Sequence, residues 1–144
     1  ICTPYRTKTN DPEAIQYTVS IKDPQNVKIL PGGLVEIQNG PAGMMMVKRN
    51  VFEKLIKDYP EKEIKYHPNK GVFPKDLRIY NFWDCNFKDG IWKGEDIFFC
   101  DLAREAGFKV YANITSPITH HGSFGYKGTY EDKFKMKQKN GTKN

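Results

Sequence analysis

The chain has 144 residues, of which 38% are hydrophobic and 13% aromatic, enough for one domain with a core of ordinary size. A mean hydropathy of -0.68, and the absence of any apolar run near the roughly 20 residues of a membrane helix, argue against a membrane span. The net charge of +6 comes largely from a lysine-rich C-terminal end, so we predict no nucleic-acid partner.

Cysteine usage indicates the compartment. Cys2, Cys85 and Cys100 are odd in number and lack the spacing of a disulfide framework. We therefore predict a reducing, cytoplasmic environment. The Asn-x-Thr patterns at Asn113 and Asn140 then have no role.

The first third of the chain predicts three strands. Apolar residues alternate with polar ones over residues 15–21, and a second strand follows over residues 34–37, so the two are expected to pair as a ribbon. Residues 43–47 form a short continuous apolar run, which is typical of a buried central strand.

A helix is predicted next. Asn50 and Glu53 have the spacing of an N-cap and its N3 partner, and Pro60 ends the helix. Its apolar face comprises Val51, Phe52, Leu55, Ile56 and Tyr59. Residues 61–77 show no period and predict a surface loop, with His67 exposed to solvent.

The region from residue 79 carries the most informative pattern. Residues 79–83 look extended, and residues 88–90 form a turn leading to Ile91 and Trp92. From Asp96 onward the apolar spacing is that of an amphipathic helix, which Gly107 caps. A strand is expected over residues 108–112.

Two adjacent carboxylates, Glu95 and Asp96, stand at the start of this helix. The positive end of the helix dipole stabilises an ionised carboxylate, which can then act as a base. The simpler interpretation is that they are a cap and a first-turn charge. Trp92 and Gly94 favour chemistry, since an indole offers a flat face to a sugar and a glycine permits close approach.

After the next strand come His120, His121 and a glycine-rich segment, residues 122–128. The segment either closes over a ligand, with Phe124 or Tyr126 excluding water and Lys127 meeting a phosphate, or is an ordinary connector. Residues 131–144 are rich in lysine and predict a basic, disordered tail.

Trp92-Lys-Gly-Glu-Asp96, the following helix and strand, and His120-His-Gly122 resemble the C-terminal half of a GT-A-fold glycosyltransferase. Asn39-Gly-Pro-Ala-Gly-Met-Met-Met-Val-Lys-Arg49 is similar to the acceptor-side segment of that class. With residues 80–84, the resemblance covers residues 1–128. It implies an α/β fold, a GT-A-like mixed sheet flanked by helices, forming the C-terminal part of a nucleotide-diphospho-sugar transferase domain over residues 1–130.

The resemblance also implies a hexosyltransferase-type activity, with a nucleotide-sugar donor and a glycan or other hydroxyl acceptor. Asp96 corresponds to the general base of inverting members, and Glu95 to a residue that binds an acceptor hydroxyl. His121 or His120 would ligate Mn²⁺ or Mg²⁺; the glycine beside His121 favours it, but the sequence leaves both open. The expected substrate contacts are Gly43, Met44, Trp83, Asp84, Trp92, Gly94, Tyr126 and Lys127.

One feature departs from the resemblance. Such enzymes hold the metal with an Asp-x-Asp motif in an N-terminal half, and none occurs in these 144 residues; the nearest approach is Asp84-Cys-Asn86. The apolar opening, residues 1–6, reads like a strand entered midway. We therefore expect a fragment whose donor-binding half is supplied separately.

Three other functions remain open. The first is a non-catalytic carbohydrate-binding or interaction module that keeps the acceptor-side fold. The second is a zinc-stabilised nucleic-acid binder using Cys85, Cys100, His120 and His121, although their spacing fits no compact finger. The third is a cysteine-nucleophile enzyme, which is disfavoured because Cys100 falls near the apolar side of its helix.

Overall fold

The computed structural model describes residues 1–11, 15–65, 74, 76–88 and 90–141. Within them the chain is mixed α and β, with small antiparallel sheets and three α-helices. The strands are β1 (Ser20–Ile21), β2 (Ile29–Leu30), β3 (Leu34–Asn39), β4 (Asn86–Lys88), β5 (Ile91–Lys93), β6 (Val110–Asn113), β7 (Ile118–His121) and β8 (Gly125–Gly128). The helices are α1 (Arg49–Asp58), α2 (Glu95–Glu105) and α3 (Tyr130–Gly141), with a 3₁₀ turn at Pro60–Lys62.

The chain forms two compact units. Unit 1 comprises Ile1–Met46 with Lys109–Asn144, and unit 2 comprises Val47–Phe108. None of the helices in the described part of the chain has both the length and the apolar character needed to cross a membrane.

Strand β3 is the centre of unit 1. One of its edges pairs antiparallel with β1 and β2, and the other with β6. Its side chains alternate in burial, because Val35 and Ile37 point into the core while their neighbours face outward. The predicted ribbon of β1 with β3 is therefore confirmed, although the first strand is only two residues long.

The predicted buried central strand at residues 43–47 is wrong. In the described residues this run pairs with one segment, through an antiparallel bridge of Met45 to Cys2. Met44 and Met46 are 58% and 77% exposed. Cys2, by contrast, is buried and also bridges Ala112 in a parallel sense. An apolar run alone does not reveal how many neighbours a strand has.

The structure of the C-terminal segments differs from the sequence prediction. Strands β7 and β8 form an antiparallel hairpin over much of the segment interpreted as a loop. Helix α3 occupies most of the predicted disordered tail, of which residues 142–144 lie outside the described part. The Thr129 N–H donates to Asp132 Oδ2 (2.9 Å), so these residues complete half of a capping box that lysine content alone does not reveal.

Helix α1 lies in unit 2 and buries Val51 and Leu55 as predicted. Its start was misplaced, because the N-cap is Lys48 and no side chain caps it. Glu53 instead accepts a hydrogen bond from Arg49 Nε (2.8 Å) one turn earlier.

Helix α2 of unit 2 follows the prediction, and Ile91 and Trp92 lie in β5, whose pairing with β4 was not predicted. The helix buries Phe99, Cys100, Leu102 and Ala103 on one face. Gly107 adopts a positive φ of 90°, and the Phe108 N–H donates to the Ala103 carbonyl (2.9 Å), as at a left-handed C-cap. The predicted turn residue Asp89 lies outside the described residues.

Residues 62–64 and 79–81 pair and close the base of the predicted loop, in which His67 lies outside the described part of the chain. The Ile64 N–H donates to the Ile79 carbonyl (2.8 Å). Glu63 accepts two hydrogen bonds from the Arg78 guanidinium, from Nε (3.0 Å) and Nη2 (2.9 Å), and one from Lys65 Nζ (2.9 Å). A planar fork of this kind fixes geometry as well as charge.

We expect Glu63→Gln to reduce the loss of free energy of unfolding that occurs when the pH is lowered. Arg78, and then Lys65, lower the pKa of Glu63 from 4.5 to about 2. A lowered pKa means that the pairing stabilises the fold above about pH 4.5 and is lost as the pH falls toward 2. Urea unfolding at about pH 6 and about pH 3 should show a smaller acid-induced loss in the variant than in the wild type. Glu61→Gln is the matched control, and equal losses in all three proteins would contradict the expectation.

Candidate functional site

The carboxylate pair lies in the first turn of α2, as predicted. Gly94 is the N-cap with extended backbone (φ -67°, ψ 167°), and its carbonyl accepts the Phe98 N–H (3.0 Å). A Cβ built on Gly94 has no heavy atom within 4 Å. The space in front of the helix is therefore open at this residue, and neither the backbone angles nor local packing require a glycine there.

Asp96 and Asp101 share this helix but differ in their surroundings. Asp101 is the more enclosed, and its carboxylate pairs with Lys93 Nζ (2.5 Å) and with the Arg104 guanidinium. Asp96 is half-buried, and no described residue forms a hydrogen bond or ion pair with its side chain. Asp101 thus holds β5 against α2, whereas the lone pairs of the Asp96 carboxylate accept no bond from the described residues.

Glu95 is exposed beside Asp96 and has one close side-chain partner. The Cys85 thiol lies 3.8 Å from Glu95 Oε2, a weak S–H···O contact that brings the segment before β4 next to the helix start. Asp84 is exposed at the preceding position. The local surface at the start of α2 is therefore acidic.

An aromatic surface stands on the hairpin that leads to α2. Trp92 and Phe87 are cross-strand partners, and each is 67% exposed. Cross-strand partners project from the same face of a ribbon, so the two rings form one apolar face. Phe87 was not among the predicted site residues. The signal that pointed to it is the turn predicted at residues 88–90, because residues that flank a hairpin turn can pair across it.

Trp83 has a different position. Its ring stacks on Phe99 with centroids 4.0 Å apart and an interplanar angle of 8°. One ring face therefore packs on α2, and the residue remains 37% exposed. A role in substrate binding stays a prediction for Trp83 and Asp84.

His120 and His121 belong to β7 in unit 1 and have different environments. His120 is half-buried, its Nδ1 lies 2.8 Å from the Arg6 carbonyl oxygen, and its ring is 4.5 Å from that of Tyr5. Because a carbonyl only accepts, Nδ1 carries the proton and Nε2 keeps a lone pair in the neutral ring. His121 is exposed.

A shallow cavity of about 210 Å³ joins His120 to a second predicted residue. It is lined by Tyr5, Gly43, Ile118, Thr119 and His120. A Cβ on Gly43 would lie 2.9 Å from Tyr5 Cε1, so the glycine allows the Tyr5 ring to pack there. Tyr5 is a site residue that the sequence pattern did not indicate.

The remaining predicted contacts are also in unit 1. Met44 and Lys127 are both exposed, and Lys127 lies on β8. Tyr126 is only 3% exposed, and its hydroxyl donates to the Thr9 carbonyl (2.6 Å). Its ring therefore packs the β7–β8 hairpin against the N-terminal segment. Within the glycine-rich segment, residues 122–128, the exposed aromatic residue is Phe124.

The two units divide the predicted site. Unit 2 holds the first group, which is Trp83, Asp84, Trp92, Gly94, Glu95 and Asp96. Unit 1 holds the second group, which is Gly43, Met44, His120, His121, Tyr126 and Lys127. Convergence of the carboxylates with the imidazoles stays a prediction.

The described side chains provide few ligands for a metal ion. Among the described residues, no three or more of His, Cys, Asp and Glu are grouped closely enough to hold a metal ion. By itself, His120 has the features of a metal ligand supplied by one side chain. Its Nδ1–H donates to a backbone carbonyl, and a bond of this kind orients the imidazole rings that bind metals through Nε2.

Comparisons with models of known protein families, with curated protein sequences and with solved structures find no match for this chain.

Proposed function

We propose that this chain is the acceptor-side part of a glycosyltransferase that moves a sugar from a nucleotide-diphosphate donor to an acceptor hydroxyl. The supporting observation is the open Asp96 carboxylate at the start of α2, in the same helix where Asp101 is fully engaged. The proposed fold is GT-A-like, with the donor-binding half supplied by further polypeptide.

In the proposed reaction Asp96 is the general base. A sugar hydroxyl is a weak nucleophile, so its proton passes to the Asp96 carboxylate as its oxygen bonds to the anomeric carbon. The bond from that carbon to the diphosphate oxygen breaks at the same time, and the nucleoside diphosphate leaves with the electron pair. Attack from the face opposite the leaving group inverts the configuration.

The acceptor would lie over unit 2. Trp92 and Phe87 offer an exposed aromatic face for a sugar ring, and the open space at Gly94 gives it access to the helix start. Glu95 is placed to accept a hydrogen bond from a neighbouring hydroxyl of the same sugar. Asp84 adds to an acidic surface that favours neutral over anionic acceptors.

The proposal includes Mn²⁺ or Mg²⁺, which when bound would neutralise charge on the diphosphate. His120 is the preferred protein ligand, because its Nε2 lone pair is fixed by the Arg6 contact, whereas His121 has no comparable orienting bond in the described residues. The three cysteines form no disulfide in the described part of the chain, which supports a cytoplasmic location as part of the same proposal.

A second candidate function is a carbohydrate-binding module without catalysis. The exposed pair Phe87 and Trp92 favours it, since an aromatic face binds a sugar ring whether or not a base stands beside it.

The deciding experiment incubates the complete protein with Mn²⁺, a panel of uridine- and guanosine-diphosphate sugars, and mono- and disaccharide acceptors. Glycosyl transfer releases a nucleoside diphosphate in step with a new glycoside, whose anomeric configuration NMR reports. Acceptor binding without nucleoside diphosphate release across the panel would support the binding module and refute the transferase.

A further inference from the structure

A second small cavity lies in unit 1, between the N-terminal segment and the turn of the β7–β8 hairpin. It has a volume of about 220 Å³ and is lined by Lys8, Thr9, Asn10, Ser123, Phe124 and Tyr126. This is below the roughly 300–1,000 Å³ of sites for drug-sized ligands, so it suits one small ring.

The walls of the cavity are fixed by specific contacts. The Gly122 N–H donates to the Phe124 carbonyl (2.9 Å), which closes the turn. The Phe124 ring meets Tyr126 edge to face at 88°, with centroids 6.1 Å apart. The bond from the Tyr126 hydroxyl to the Thr9 carbonyl joins the hairpin to the opposite wall.

Gly122 lies close to the side chain of Lys8. A Cβ there would lie 3.0 Å from Lys8 Cδ and 3.4 Å from Cε. The aliphatic part of the Lys8 side chain therefore packs over Gly122, which has no Cβ. Lys8 is also one of the residues that line the cavity. Glycine-rich composition in this hairpin therefore has a structural cause besides flexibility.

The hydroxyls of Thr9 and Tyr126 donate to backbone carbonyls, and three other polar side chains of the lining have no such partner among the described residues. Within the described part of the chain, Lys8 forms no ion pair, and the side chains of Asn10 and Ser123 form no hydrogen bond. The described lining contains one ammonium group, one amide and three hydroxyls, and none of its described residues carries a carboxylate. Phe124 adds a half-exposed aromatic ring.

We propose that this cavity binds a monosaccharide unit that carries a negative charge. The ring of the sugar would lie against Phe124, its hydroxyls would meet Asn10 and Ser123, and its anionic group would pair with Lys8. A phosphorylated sugar and a uronic acid share this chemistry. The site belongs to unit 1 alone and does not depend on transfer at Asp96.

The test is a titration of the ¹⁵N-labelled chain, followed by amide shifts. The ligands are glucose 6-phosphate, glucuronate, neutral glucose and inorganic phosphate. We expect at least one of the two acidic sugars to shift the amides of residues 8–10 and 123–124 and to bind roughly tenfold more tightly than glucose or phosphate. The sugar that binds more tightly identifies phosphate or carboxylate as the anionic group.

Two variants and a control separate the contacts. Lys8→Met keeps the stem and removes the charge, and Phe124→Ala removes the ring; each should weaken binding by roughly tenfold. Lys28→Met, an exposed lysine of unit 1 outside the lining, should leave binding unchanged. Equal binding of glucose and the acidic sugars, or phosphate binding as well as both, would overturn the proposal. A protein without transferase activity can still pass this test, since the readout is binding.

Discussion

Asp96→Asn should lower sugar transfer by about 100- to 10,000-fold, the contribution typical of a general base. An amide has nearly the same shape as a carboxylate and cannot take the proton of the acceptor hydroxyl. The folded state should be little affected, because no described residue bonds to the Asp96 side chain. We therefore expect unchanged thermal unfolding and unchanged donor affinity.

Asp101→Asn is the matched control, with the same substitution five residues later in the same helix. Here the amide replaces a carboxylate that pairs with Lys93 and Arg104, both partly enclosed. Loss of charge-assisted bonds of this kind costs about 1–3 kcal/mol. This variant should melt at lower temperature and, when folded, retain most of its transfer activity.

The pair of variants is measured by transfer rate at saturating donor and by thermal unfolding of the same preparations. Loss of a catalytic base should lower the transfer rate and leave the melting temperature unchanged, whereas loss of a structural carboxylate should lower the melting temperature and leave most of the transfer rate. If Asp96→Asn turned over near the wild-type rate, Asp96 would not be the base. If both variants lost activity only in proportion to their stability, the two aspartates would share a structural role.

Elements with a sustained period were predictable from the sequence. Helix α2 combines a regular apolar face with a glycine that adopts positive φ at its end, so both its position and its C-cap were predicted. Ile91 and Trp92, which were expected to follow a turn at residues 88–90, lie in β5, whereas the pairing of β5 with β4 was not predicted. The position of the helix and that of the strand both depend on contacts between residues close in sequence, which a local pattern encodes.

Contacts between segments that are distant in sequence explain the features that the sequence did not predict. Burial along residues 43–47 depends on pairing with Cys2, some 40 residues earlier, and the pairing leaves Met44 and Met46 exposed. The orientation of His120 depends on the Arg6 carbonyl, and the role of Gly43 on the Tyr5 ring. Local periodicity does not contain such information, whereas the location of Glu95 and Asp96 in the first turn of α2 follows from the helix itself.

Phe99→Ala should destabilise unit 2 by about 3–5 kcal/mol, the usual cost of deleting a buried phenyl ring. Phe99 is 3% exposed, stacks on Trp83, and lies 5.9 Å from the Phe52 ring. Its loss would leave a cavity beside the helix that carries Asp96. Thermal and urea unfolding measure the effect.

Phe87→Ala is the control for Phe99→Ala. It also removes a phenyl ring from unit 2, but from an exposed position, so it distinguishes an effect on packing from an effect on binding. We expect its stability to stay within about 0.5 kcal/mol of the wild type, as at most surface positions. In the proposed function it should instead raise the acceptor KM, since Phe87 shares the exposed face with Trp92. A large drop in stability for Phe87→Ala would show that this face packs against protein, which would remove it as an acceptor surface. An unchanged acceptor KM with unchanged stability would restrict sugar stacking to Trp92.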